Sequence, residues 1–201
     1  MINEKVLGRL ANASFHMFDI KGFENKSISE FVESFRPNQI KCKKWLVEEI
    51  ANINMNWKNV LVLGSWNGCL LYELMNSYCD VTCWTFLDVN QDCHTHRDLY
   101  FEVNAMPKNY SSIIMNAEDF SDHESYDLII NTSCEHMNDI PAVYGPTYAL
   151  QSNDYTNIIE HINCVNSAKE LANKNNLTKT LFTDSQKMPN YTRFMTIGYY
   201  R

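Results

Sequence analysis

The sequence has few glycines and prolines and no long apolar run. Six glycines and five prolines occur in 201 residues, so each of these turn signals carries weight. No segment approaches the roughly 18 consecutive apolar residues of a membrane span. The first residues, 1–5, open no apolar run of the signal-peptide type. We therefore expect a cytoplasmic protein with no membrane partner.

Paired cysteines and an excess of basic charge are also missing. The seven cysteines are scattered and form no CxxC pair, which argues against a zinc ribbon and favours reduced thiols. With 24 acidic and 17 basic residues the formal net charge is −7, whereas a duplex-DNA binder normally has a net basic face. We expect no duplex-DNA partner. Hydrophobic residues still make up 45% of the chain, which is enough for one packed core.

From residue 37 onward, helix-like and strand-like segments alternate. Apolar runs predict strands at 59–64, 81–87, 112–115, 126–131, 147–151, 178–184 and 191–200. Helical spacing predicts helices at 37–52, 67–78, 91–104 and 155–174. This alternation favours a parallel sheet with helices on both faces.

The end of the chain departs from that alternation. The turn at 187–190 is too short for a parallel crossover, so the last two strands should pair antiparallel. The predicted fold is α/β: a three-layer αβα sandwich with a mostly parallel seven-stranded sheet ending in an antiparallel hairpin. Residues 1–36 are predicted to be an N-terminal helical lid or appendage to the domain at 37–201.

Ligands of open α/β sheets bind beyond the carboxyl ends of the strands, so strand ends hold the first candidate residues. The first strand runs into Gly64-Ser65-Trp66-Asn67-Gly68, a turn that allows close backbone approach at a helix N-terminus. Asp88 follows the second strand, where a carboxylate accepts both hydroxyls of a ribose or caps the next helix. Each feature alone also suits an ordinary turn.

Polar loops follow the third and fourth strands. The segment Asn116-Ala117-Glu118-Asp119 has side chains that suit either an adenine amino group or a cap. The fourth strand ends at Asn131 and leads into Glu135 and His136. These two are candidate acid–base groups or substrate contacts, and the alternative is a structural pair.

Taken in order, the four strand ends resemble the class I S-adenosylmethionine-dependent methyltransferases over roughly residues 37–200. That family has the same order of Gly-rich turn, acidic residue, Asp-Ala-Glu-Asp-like loop and Glu-His-x-x-Asp motif. The last motif matches residues 135–139. The resemblance implies S-adenosylmethionine as cofactor, with contacts from Gly64, Ser65, Trp66, Gly68, Asp88, Asn116, Ala117, Glu118 and Asn131. It implies His136 as the catalytic base and Glu135 as its orienting partner, with no metal. In such proteins the segment before the first strand often lines the pocket, so Asn38 and Gln39 are further candidates.

Three positions depart from the family pattern. Val62 stands where an acidic residue is usual, Trp66 replaces the central glycine, and Asn116 replaces an aspartate. Methyl transfer to a small molecule is the expected function, because the chain has little insertion for recognising a macromolecule. The alternative is a non-catalytic protein of this fold in a larger assembly, and a homo-oligomer is also compatible. A nucleotide-dependent oxidoreductase is disfavoured by the hairpin and the glycine spacing.

Two other clusters have weaker signals. Cys93-His94-Thr95-His96 contains metal-capable groups, but histidines two apart on a helix point in different directions, so we expect cap and surface roles. Arg36 with Lys41, Lys43 and Lys44 forms a basic patch, which is either a solvated face or a guide for an anionic substrate.

Overall fold

The computed structural model describes residues 4–19 and 25–201. In chain order the elements are α1 (Glu4–Asp19), α2 (Asn25–Glu33), α3 (Pro37–Asn52), β1 (Asn59–Leu63), α4 (Cys69–Met75), β2 (Cys83–Asp88), α5 (Gln91–Val103), β3 (Tyr110–Ile114), β4 (Leu128–Asn131), β5 (Thr147–Asn153), α6 (Ala168–Lys174), β6 (Lys179–Lys187) and β7 (Thr192–Tyr199). Short 3-10 turns follow β3 and β4, at Ala117–Asp119, His123–Ser125 and Cys134–His136.

The seven strands form one sheet in the order β3-β2-β1-β4-β5-β7-β6. Strands β1 to β5 pair in parallel, and β7 runs antiparallel to both β5 and β6. The predicted mostly parallel sheet with a terminal hairpin is confirmed. Strand order reverses between β1 and β4, so the carboxyl ends of these two strands flank the switch point where such sheets bind ligands.

Helices cover the two faces of the sheet unequally. Val60 and Val62 of β1 pack into the cluster that includes α1 to α5, and Leu61 and Leu63 pack into the cluster that includes α6. This alternation follows from the two-residue period of a strand. Because both faces are covered, β1 is a continuous apolar run. The predicted αβα sandwich is confirmed, with one outer layer built from the seven-residue α6 and the 3-10 turns.

Helices α1 and α2 pack against the main core. Ala13 and Met17 of α1 and Phe31 of α2 are fully buried in the cluster that also holds α3 to α5. Arg9 reaches α4, where its Nη1 lies 2.6 Å from Glu73 Oε1. That residues 1–36 act as a lid stays a prediction, and residues 1–3 and 20–24 of this segment lie outside the described residues.

The predicted helix at 155–174 is wrong over most of its length. Helix α6 begins only after Ser167, whose side chain caps it. Residues 155–167 are irregular and cross to the loop after β4, where Asn163 N donates to Glu135 O at 3.1 Å. Hydrogen bonds to that loop outweigh the weak helix propensity of asparagine and isoleucine. The remaining predicted elements are confirmed, with ends that shift by at most three residues.

Gly198 of β7 gives a first testable prediction, because β6 bulges beside it at Thr180. A methyl group at Gly198 would lie 2.3 Å from the carbonyl oxygen of Lys179, so the backbone of one strand must move. We expect Gly198→Ala to lower the free energy of unfolding by roughly 1–3 kcal/mol in urea denaturation. Gly8→Ala on α1 is the control: no atom of the described residues lies within 4 Å of the added methyl group, so this variant should raise the free energy of unfolding by up to about 1 kcal/mol. Wild-type stability of Gly198→Ala would contradict the prediction.

Candidate functional site

A cavity of about 560 Å³ opens at the carboxyl ends of β1, β4 and β5. Its walls come from the first turns of α3, the loops after β1 and β4, the irregular segment 155–167 and the β6–β7 turn. Its lining includes Asn38, Gln39, Lys43, Gly64, Ser65, Trp66, Glu135, His136, Asn153, His161 and Arg193. This volume suits a small molecule.

The loop after β1 forms one wall through a left-handed backbone. Gly64, Trp66 and Gly68 have φ angles of +54°, +51° and +69°. A methyl group on Gly64 would lie 2.7 Å from Met137 Cε, and one on Gly68 would lie 2.6 Å from the Phe86 ring. The backbone conformation favours glycine at both positions, and packing against the Phe86 ring also requires it at Gly68. The left-handed conformation is unfavourable for a tryptophan, so Trp66 is the strained position of this loop.

Asp88 ends β2 and ties this loop to the next helix. Its Oδ2 accepts from Trp66 N at 2.7 Å, and its Oδ1 accepts from Asn90 N at 2.9 Å. Asp88 is half-buried and is not among the residues that line the cavity. A carboxylate has about four lone-pair sites, so two remain for further donors.

The loop after β3 is joined to the loop after β4. Asn116 Oδ1 accepts from Glu118 N at 3.4 Å, and Ala117 is buried. The carboxylate of Glu118 accepts from both the backbone N and the side-chain Nδ2 of Asn138, each at 2.8 Å. These hydrogen bonds lower the pKa of Glu118. At the end of β4, the buried Asn131 accepts from Ser133 N at 2.9 Å.

Glu135 and His136 lie in the loop after β4, and two buried cations accompany them. Glu135 Oε1 lies 2.6 Å from Arg193 Nη1 and accepts from Asn153 Nδ2 at 2.7 Å. Arg193 also donates to the carbonyl oxygen of Thr132. Burial alone would lower the pKa of Arg193, but the charge of Glu135 raises it above its ordinary value. Partial burial lowers the pKa of His136, and Glu135 acts in the opposite direction.

Lys43 is the second buried cation. It is 8% exposed, and its Nζ donates to Gln39 Oε1 at 2.6 Å. Burial lowers the pKa of Lys43 to about 8, and the charge of Arg193 acts in the same direction. The interpretation of this lysine as part of a solvated patch is therefore wrong, since Lys43 lies on the face of α3 that also buries Leu46 and Val47.

The histidines of α5 have structural partners. His94 Nδ1 accepts from Arg97 Nη2 at 2.5 Å, so its Nε2 donates to the carbonyl oxygen of Asp88 at 3.0 Å. His96 Nε2 lies 2.5 Å from Ser27 Oγ. Both rings are almost fully buried, which corrects the expected surface role.

Comparisons with known proteins identify the fold. No family model matches the chain, and no curated protein matches it. Among solved structures, N-methyltransferase NodS from Bradyrhizobium japonicum WM9, in complex with S-adenosyl-L-homocysteine, aligns with a TM-score of 0.62 and 10% identity over 93% of this chain and 98% of that one. TehB from Haemophilus influenzae aligns with a TM-score of 0.55 and 16% identity over 77% of this chain and 61% of that one. An O-methyltransferase family protein from Burkholderia thailandensis aligns with a TM-score of 0.53 and 9% identity over 96% of this chain and 72% of that one.

The fold is that of the class I methyltransferases. At 9–16% identity these matches concern architecture, and the chain spans only 48% of one longer matching protein from Streptococcus mutans. None of the helices in the described ranges is long and apolar enough to cross a membrane.

On this methyltransferase fold the predicted site residues fall into two groups. Gly64, Ser65, Trp66, Glu135 and His136 line the cavity together. Gly68, Asp88, Asn116, Ala117, Glu118 and Asn131 lie outside its lining, at the ends of β1 to β4.

Sequence reasoning did not single out Arg193 or His161, and it named Lys43 only as a member of the basic patch. A lone arginine ahead of the mostly apolar segment 194–197 was the available signal for Arg193, because a buried arginine needs a partner. For Lys43 the available signal was its place among apolar residues of α3. His161 had none, since its position depends on the irregular path of 155–167.

Proposed function

We propose that this protein transfers a methyl group from S-adenosylmethionine to a small molecule bound in the cavity. The observation that carries the proposal is the cavity itself. Its lining includes the loop Gly64–Trp66 together with Glu135 and His136. Three of the predicted cofactor contacts and both predicted acceptor contacts therefore line one cavity.

The residues after β1 and β2 fit the cofactor. Gly64 and Gly68 have no side chain, so the backbone can approach a ligand closely at these two positions. Asp88 keeps lone pairs for the ribose hydroxyls. When bound, S-adenosylmethionine supplies an electrophilic methyl group on its sulfonium. We assign Ser65, Trp66 and Asn131 to the same cofactor side, and the loop Asn116–Glu118 to the adenine.

On the acceptor side, Glu135 and His136 would contact the molecule to be methylated. Arg193 and Asn153 hold the Glu135 carboxylate in place through Oε1. His136 would accept a proton where the acceptor must lose one. The main contribution of the chain is alignment of the acceptor with the methyl group.

One observation favours a second candidate, a non-catalytic protein of this fold within a larger assembly. Trp66 lines the cavity in a strained conformation, and Asp88 already accepts two backbone N–H groups. Both features reduce the room and the free lone pairs that a cofactor would use.

Calorimetry with S-adenosylmethionine and with S-adenosylhomocysteine separates the two candidates. Dissociation constants in the micromolar range would support the enzyme. No heat at millimolar ligand would contradict it and leave the non-catalytic protein.

Asp88 gives the matched residue test. We expect Asp88→Ala to weaken cofactor binding more than about tenfold, because it removes a charged acceptor of ribose hydroxyls. Asp80→Ala is the control: this exposed carboxylate precedes β2 at the opposite edge of the sheet and pairs with Lys58. Unchanged affinity in Asp88→Ala would refute the ribose assignment, and equal loss in both variants would indicate a general effect on the fold.

A further inference from the structure

Three metal-ligating side chains meet at the cavity wall. The ligand atoms of Glu135, His136 and His161 all lie within 4.8 Å of one another. The two imidazole rings meet edge to face, with centroids 4.6 Å apart. We propose that these three side chains bind one divalent transition-metal ion.

Glu135 supplies the strongest argument, because its two oxygens differ. Oε1 accepts from Arg193 Nη1 at 2.6 Å and from Asn153 Nδ2 at 2.7 Å. Oε2 is buried and has no donor among the described residues, and Glu135 is only 4% exposed. A buried carboxylate oxygen without a partner is costly, and a cation would compensate both its charge and its lone pairs. Arg193 and Asn153 are then the outer contacts that orient a ligating carboxylate.

The hydrogen bonding of His161 also suits a ligand. Its Nδ1 lies 2.6 Å from the carbonyl oxygen of Tyr155, which can only accept, so Nδ1 carries a hydrogen. In the neutral ring the lone pair is then on Nε2. A backbone carbonyl behind the histidine is a common arrangement at metal sites. Two imidazoles and one carboxylate form the donor set of zinc and non-haem iron sites that keep open positions.

The irregular path of 155–167 brings the third ligand into place. Asn163 N donates to Glu135 O at 3.1 Å, and Asn163 Nδ2 donates to the carbonyl oxygen of Met137 at 3.0 Å. Lys174 Nζ donates to Asn163 Oδ1 at 2.5 Å. These bonds hold His161 beside the loop of Glu135 and His136 without help from an ion, so the site is preformed.

All three side chains line the cavity, so the open positions of the ion would face the acceptor. We infer an acceptor with a hydroxyl or carboxylate oxygen, since a divalent ion binds such an oxygen and eases loss of a hydroxyl proton. This inference about the acceptor rests on the proposed function, whereas the metal site itself does not. With the ion bound, His136 would be a ligand rather than a base, and the proton of an acceptor hydroxyl would pass to solvent.

Cobalt(II) titration of the full-length, chelator-treated protein tests the site in the absence of cofactor. We expect one equivalent per chain, with the visible absorption of a four- or five-coordinate ion and displacement by zinc. The unfolding midpoint should rise as well, because the ion binds the native state. Absence of stoichiometric binding to the folded protein would overturn the proposal.

Variants locate the ion. We expect His161→Ala and Glu135→Gln each to weaken cobalt binding at least about tenfold while circular dichroism shows a folded chain. His161 is half-buried in an irregular segment, so its variant keeps the test valid if Glu135→Gln unfolds. Cys164→Ser is the control, because the Cys164 Sγ lies 3.9 Å from His161 Nδ1 but donates a hydrogen bond to the carbonyl oxygen of Tyr155. Wild-type affinity in both ligand variants, or a thiolate absorption band that disappears in Cys164→Ser, would overturn the assignment.

The two proposals fail separately. Cobalt binding without cofactor binding would contradict the proposed methyl transfer and leave the metal site. Cofactor binding without cobalt binding would contradict the metal site and leave the proposed methyl transfer.

Discussion

Arg193→Leu is expected to lower the free energy of unfolding by roughly 3–5 kcal/mol, the usual cost of breaking a buried ion pair. The guanidinium is buried, lies 2.6 Å from Glu135 Oε1 and donates to the carbonyl oxygen of Thr132. Its removal leaves the Glu135 charge in the interior, and among the described residues Asn153 is then the one remaining donor to Oε1. Urea denaturation monitored by circular dichroism measures the change.

Two further variants separate charge from packing in this pair. Arg193→Leu with Glu135→Gln should recover part of the loss, because no uncompensated charge remains. Lys58→Leu breaks the exposed pair with Asp80, at 2.7 Å, and should change stability by less than about 1 kcal/mol. A loss of similar size in Lys58→Leu and Arg193→Leu would show that burial does not govern the strength of the pair.

The sheet could be predicted because its signals are local. The run 60–63 is apolar at every position, which is the pattern of a strand covered on both faces. The turn at 187–190 is too short for a crossover, and this alone fixed the antiparallel direction of β6 and β7. Residue order along the chain then placed Gly64, Asp88, Asn131 and Glu135 at one edge.

The acceptor side could not be predicted because its geometry depends on contacts between distant residues. Isoleucines at 158 and 162 have helical spacing, yet the segment forms no helix because Asn163 bonds to the loop of Glu135. Arg193 and Lys43 approach Glu135 from β7 and α3, 58 and 92 residues away in sequence. No periodicity reports such pairings, since helix and strand patterns describe neighbours within one element.

These buried charges are concentrated where the sheet opens to the cavity. Elsewhere β1 and β4 bury apolar side chains on both faces, whereas the cavity wall buries Lys43, Glu135 and Arg193. The Glu135 carboxylate compensates the charge of Arg193, so Lys43 gives this wall a net positive charge. A positive wall favours an anionic group in a ligand of the cavity.

Lys43→Met should raise the free energy of unfolding by as much as roughly 3 kcal/mol near pH 7. Burial lowers the pKa of Lys43 from its ordinary value of 10.5 to about 8. A change of one in pKa corresponds to about 1.4 kcal/mol in the relative free energy of the charged and neutral forms. The cost of charging Lys43 is fully present below pH 8 and disappears as the pH rises to 10.5, because the folded chain loses the proton first. The stability difference between variant and wild type should therefore shrink across that window in denaturation curves taken at several pH values.

Lys44→Met is the control, since Lys44 is part-exposed beside Glu48 and should give a change below about 1 kcal/mol at every pH. A difference between Lys43→Met and wild type that stays constant from pH 8 to 10.5 would contradict the lowered pKa.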